Sequence, residues 1–188
     1  MEVVEYIIDD ENEAGVYAIS LVSQPAIESD FVQLSKEVEL KLVDEERGVL
    51  MGAALIPDLP ILRTGVDGDY YIFFSKDTIR KTSELFFQNG FQDQSTLEHQ
   101  VKLKDNVVVE SWIKEDEVHD KSVKFGIDAP VGSWIISMKI KDPEVLDLAK
   151  KGTINGFSIE GLFKDKNEGA ELSIENFVND LEELINKL

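Results

Sequence analysis

The stretch Lys151–Gly161, KGTINGFSIEG, sets one serine between two large apolar residues. Strand alternation places Phe157 and Ile159 on one face and Ser158 on the other, and Glu160 shares the serine's face if the alternation continues. Gly156 and Gly161 flank the group and leave the backbone open around the hydroxyl. Serines on the wet faces of strands are common, so the stretch becomes a catalytic candidate only if the chain supplies a base.

Working outward, PEVLDLAKK before this stretch reads as a short helix, with Pro143 at its first position and Gly152 past its end. Gly132–Ile140 (GSWIISMKI) reads as a strand. The spacing predicts a longer helix over SKDTIRKTSELFFQNG, capped by Ser75, with Ile79, Leu85 and Phe86 inward and Asn89-Gly90 as its stop. Further strands are expected at Val3–Ile8, Val16–Val22, Phe31–Leu34, Val38–Val43, Val49–Ile56 and around YYIFF. Leu97–Leu103 and Val107–Ile113 read as two strands joined in a hairpin at Lys104-Asp105-Asn106. The body is thus an α+β chain of many short strands, or a partly closed barrel with helices outside.

Residues 1–164 read as one domain, and 165–188 as a polar linker followed by a C-terminal amphipathic helix. In SIENFVNDLEELINKL, Ile174, Phe177, Val178, Leu181, Leu184, Ile185 and Leu188 fall on one helical face.

The chain has 188 residues, 43% of them hydrophobic, which is enough for a real core. It has no cysteine, which excludes disulfides, thiolate zinc sites and cysteine nucleophiles. The net charge of −19, from 38 acidic and 19 basic residues, argues against nucleic acid and against an anionic membrane surface. No apolar run has the length of a membrane span, and the acidic start MEVVEYIIDDENEAG is unlike a signal peptide, so a cytosolic protein is expected.

Two histidines, His99 and His119, are available as a base. A serine hydroxyl becomes a nucleophile when a neutral imidazole accepts its proton, and a third group then fixes the tautomer. The candidates for that third group are Glu110, Glu160, Asp120 and His119. A turn at Lys104-Asp105 puts His99 directly opposite Glu110, with Cβ atoms about 5 Å apart, whereas a one-residue slip presents Val109 or Ser111.

The ordered pieces HQ, VVESWI, GSW with MKI, and KGTINGFSIEG resemble the XkdF-type phage serine proteases, a branch of the prohead maturation proteases. The resemblance runs from about Met51 (MGAALIPDLPILR) to Phe163. It implies His99 as base and Ser158 as nucleophile, with Glu110 of VVESWI as third member and no metal or cofactor. It also implies a fold like that of herpesvirus assemblin-type proteases, a mostly antiparallel β-barrel with helices packed outside. VYAISLVSQPAIE, Val16–Glu28, resembles a segment that commoner prohead proteases carry after the serine strand, so the chain reads as circularly permuted. The acidic position of that segment is occupied here by Ala18. The implied activity is endoproteolysis of phage scaffold and major capsid proteins inside the immature prohead, in the host cytoplasm. Backbone amides at Gly132 and Ser133 are candidate oxyanion donors. The C-terminal stripe suggests a homo-oligomer. The alternative reading is a non-catalytic capsid-assembly or scaffold-interacting protein that keeps the protease fold.

Overall fold

The computed structural model describes residues 3–12, 15–23, 39–65 and 68–167. The strand expected at Phe31–Leu34, the start of that at Val38, and the C-terminal helix lie outside the described residues. The chain order is β1 (Val3–Ile7), β2 (Gly15–Val22), β3 (Lys41–Asp44), β4 (Val49–Leu55), β5 (Ile61–Gly65), β6 (Gly68–Phe73) and α1 (Lys76–Gln88). A 3-10 turn (Phe91–Asp93) leads to β7 (Ser95–Leu97), β8 (Val101–Leu103), β9 (Val107–Ile113), α2 (Lys121–Lys124), β10 (Trp134–Lys139), α3 (Pro143–Lys150), β11 (Gly156–Leu162) and β12 (Lys164–Asp165).

The strands form three four-stranded sheets, ordered β12-β1-β6-β5, β3-β4-β10-β9 and β11-β2-β7-β8. Among the described residues seven of the nine strand pairings are antiparallel; β1 with β6 and β2 with β7 are parallel. The α+β class expected from the sequence holds, but among the described residues the sheets are open and no barrel closes.

One pairing overturns the expected hairpin. β8 pairs back onto β7, and β9 pairs instead with β10 in another sheet. The physical reason lies at the crossing, where Asp105 adopts a φ of 62° and Asn106 is fully buried. Asn106 Oδ1 accepts the Lys141 main-chain N–H at 3.2 Å, which ties the start of β9 to the end of β10. His99 and Glu110 therefore stand on different sheets.

The core lies between the two sheets that carry β4 and β11. Phe157, Leu21 and Ile19 from one meet Leu50, Ile136 and Met138 from the other. Gly52 makes this close approach possible: a Cβ there would lie 3.1 Å from both the Phe157 ring and Leu40 Cβ. Helix α1 starts at Ser75, whose side chain accepts from Thr78 N–H, and buries Ile79, Leu85 and Phe86. The Phe86 ring meets Trp134 edge-on, with centroids 5.4 Å apart. β11 is thereby held from below by apolar contacts, and Ser158 faces away from them.

Candidate active site

β11 presents Ser158 opposite Ser20 of β2, and Ser20 in turn lies opposite Thr96 of β7. After Glu160 the register shifts: Glu160 pairs with Ala18 and Gly161 with Val16, so Tyr17 is an extra residue on β2. Such a bulge bends the strand and re-aims the side chains beside it. Gly161 is required by crowding and not for openness, because a Cβ there would lie 2.7 Å from the Gly15 carbonyl oxygen.

His99 sits in a tight turn, not in a continuous strand. Glu98 and His99 have φ of 51° and 56°, and Gln100 N–H donates to Leu97 O at 3.0 Å. Two successive positive φ values are the pattern of mirror-image hairpin turns, which Asn and Gly normally fill. Neither Glu nor His favours that region, and each such residue costs on the order of 1–2 kcal/mol. Hydrogen bonds to β2 and its end offset the strain. Glu98 N–H donates to Leu21 O at 2.9 Å, His99 N–H to Ser20 Oγ at 2.9 Å, and Ser23 N–H to Glu98 Oε1 at 2.7 Å.

The carboxylate that meets the imidazole is Glu160. Its Oε1 lies 3.2 Å from His99 Nδ1 and also accepts a hydrogen bond from Thr96 Oγ1. Across the ladder from Glu160, Ala18 offers only a methyl group, which leaves the carboxylate room to reach over β2. The Glu160 side chain is 20% exposed and that of His99 41%, so the acceptor is shielded while the ring reaches solvent. A proton on Nδ1 satisfies the contact and leaves Nε2 with the free lone pair. Ser158 is 9% exposed and is the ladder partner of Ser20, whose Oγ accepts the His99 main-chain N–H; no hydrogen bond joins Ser158 directly to His99.

The other candidates for the third member lie elsewhere. Glu110, on β9, binds Lys121 Nζ through both oxygens at 2.5 and 2.6 Å and accepts from Ser137 Oγ at 2.6 Å. The Lys121 hydrogen bonds, with help from Ser137, hold its carboxyl below the usual value. This group borders a cavity of about 310 Å³ with Arg47, Met51, Val109 and Phe125. Asp120 caps α2, accepting from Ser122 N–H and Oγ and from Trp112 Nε1. Burial opposes its ionisation, but those hydrogen bonds outweigh burial and lower its pKa. His119 is 84% exposed and rests on Asp116 at 3.2 Å.

The amides considered as oxyanion donors are both occupied. Gly132 N–H donates to Lys114 O at 2.8 Å and Ser133 N–H to Pro130 O at 3.2 Å. Among the described residues no cluster of three or more His, Asp or Glu could hold a metal ion, and no helix is long and apolar enough to cross a membrane.

A family model described as "Putative phage serine protease XkdF" matches residues 37–167. The chain belongs to that family. Ser158, His99, Glu160 and Glu110 all lie within the matched region, whereas β1 and β2 precede it. No curated protein and no solved structure matches the chain.

The expected pairing of Glu110 opposite His99 depended on the hairpin and is corrected with it: Glu110 stands on β9 against Lys121 and Ser137, although it keeps its place in the VVESWI motif. Two signals pointed to Glu160: its shared face with Ser158, and an alanine at the acidic position of the β2 segment. Thr96 and Ser20 carried no signal in the sequence, because common hydroxyl residues acquire meaning only from strand order.

Proposed function

We propose that the chain is a serine endopeptidase with Ser158 as nucleophile, His99 as general base and Glu160 as the group that orients His99. The observation that carries this reading is the Glu160–His99 contact, with His99 on a strained turn at the end of β7 and β2 lying between that strand and Ser158 on β11. His99 Nε2 takes the Ser158 proton as Oγ attacks the scissile carbonyl, and Glu160 stabilises the imidazolium that forms. The imidazolium then returns the proton to the leaving amine as the acyl-enzyme forms. Water, activated by the same nitrogen, releases the acid. The nucleophile–base hydrogen bond commonly tightens only when substrate is bound, so its absence in the free chain fits this sequence of events.

Family membership supports serine proteolysis by a phage protein; as substrates we propose phage scaffold and major capsid proteins, cut inside the immature head, on the resemblance to prohead maturation proteases. The same reading assigns a second copy of the chain to the apolar C-terminal stripe. Circular permutation is supported by Leu162 pairing with Gly15: the end of β11 lies beside the start of β2, where an unpermuted chain would need only a short hairpin.

The experiment is covalent labelling of the full-length protein with a fluorophosphonate, together with cleavage of purified scaffold protein. Labelling at Ser158 that Ser158→Ala and His99→Ala both abolish is expected. Wild-type scaffold processing by either folded variant would overturn the assignment of these residues, and a wild-type protein that is neither labelled nor cleaves scaffold would favour a non-catalytic assembly protein.

A further inference from the structure

Ser158, Ser20 and Thr96 occupy one rung across three strands. Their chain neighbours Phe157, Leu21 and Leu97 pack into the core, so alternation sends all three hydroxyls to the opposite face. Two of these hydroxyls hold His99 from different ends. Ser20 Oγ accepts its main-chain N–H at 2.9 Å. Thr96 Oγ1 donates to Glu160 Oε1, the oxygen that meets His99 Nδ1.

We propose that Ser20 and Thr96 are positioning residues for His99. Ser20 fixes the backbone of the strained turn, and Thr96 fixes the carboxylate that orients the ring. The geometry stands by itself; its catalytic consequence rests on the serine-protease reading. A glutamate whose ladder neighbour is alanine has no polar contact on β2 to stop it swinging to solvent. The Thr96 hydroxyl supplies the missing tether, and threonine's stiff χ1 keeps that tether in place before substrate arrives. Ser20 is fully buried, so no water replaces it as acceptor. It also lies outside the family match at residues 37–167, so the N-terminal strand supplies part of the apparatus that orients the base.

The test uses full-length protein and three readouts. They are the fluorophosphonate inactivation constants kinact and KI, the ¹⁵N shifts of the His99 ring (which report its tautomer), and the thermal midpoint. Thr96→Val removes the donor at nearly constant shape, and Thr96→Ser restores it. Thr96→Val is expected to lower kinact about tenfold with KI unchanged, as loss of a hydrogen bond to a charged group implies. Its His99 ring should move from the Nδ1–H tautomer towards a mixture, and Thr96→Ser should recover both properties. Ser20→Ala is expected to lower kinact and to speed hydrogen exchange at the His99 amide, and it carries the test should Thr96→Val fail to fold. If Ser158 is labelled and both variants stay within about twofold of wild type in kinact, the positioning role falls while the protease reading stands. If wild type is not labelled at Ser158, the protease reading falls and the ring shifts decide. An unchanged tautomer in Thr96→Val then overturns the proposal, and a mixture that Thr96→Ser reverses upholds it.

Discussion

Glu160 and Glu110 are both carboxylates on strands, and their neighbours set them to different tasks. Glu160 meets a histidine and a neutral hydroxyl; Glu110 meets a lysine and a neutral hydroxyl. Only the first set contains an imidazole, the side chain that can take the proton of a serine hydroxyl and return it. Glu160→Gln keeps an acceptor for Nδ1–H but removes the charge that stabilises the imidazolium. Its fluorophosphonate labelling rate should fall by about 10²–10⁴-fold, less than the complete loss in Ser158→Ala. Glu110→Gln should leave labelling unchanged and alter stability instead. Because the folded carboxyl is held below its usual pKa, its contribution is full above the ordinary glutamate range and is lost as pH falls through the folded value. Both Glu110 and Lys121 side chains are 44% exposed, so the loss in Glu110→Gln at neutral pH should be under about 1 kcal/mol. Thermal midpoints measured against pH should converge for the two proteins in acid. A gap that persists at low pH would mean that the ion pair is not its source.

At the scale of the element, the Glu98-His99 turn shows what could be read from the sequence and what could not. The helices α1 and α3 announced themselves through Ser75, Pro143 and their apolar spacing, and β4, β9, β10 and β11 through runs of β-formers. TLEHQVKL carried no turn signal, since glutamate and histidine are not the residues that left-handed turns select. The stretch therefore reads as a continuous strand, whereas its turn lies at Glu98-His99, six residues before Lys104-Asp105. β5 went unread because Pro57 and Pro60 crowd its start. The turn's misfit makes a sharp prediction. Asparagine tolerates positive φ, so His99→Asn should relieve local strain and raise stability by up to about 1 kcal/mol, while abolishing labelling of Ser158. Chemical denaturation measures the first and mass spectrometry of the probe adduct the second. A His99→Asn protein that is less stable than wild type would show that the contacts of His99 outweigh the strain of the turn, and one still labelled at Ser158 would show that His99 is not the base.

Across the whole molecule, strand order was the part that local patterns could not supply. Which strand lies beside β11 depends on contacts far apart in sequence, and it is this order that brings Ser20, Thr96 and Glu160 around His99. The segment beyond Lys166 poses a similar question between molecules. Its seven apolar residues at helical spacing lie on about sixteen residues, too few for a stable lone helix in water. Each such side chain gains roughly 1.5–3 kcal/mol when fully buried, so the stripe is a strong drive towards a partner surface. A net charge of −19 opposes self-association at low salt, because two copies repel at long range. Screening at physiological ionic strength shortens that repulsion to about 8 Å and leaves the apolar contact intact. Full-length protein should therefore form a dimer or larger oligomer whose population rises with protein concentration and with salt. A chain ending at Lys166 keeps every described strand of the three sheets, so it should remain folded. It should be monomeric and should process purified scaffold more slowly. Light scattering over a range of concentrations, alongside the scaffold-cleavage rate of both proteins, decides the matter. If the full chain is monomeric at high concentration and truncation leaves cleavage unchanged, the stripe does not join two copies.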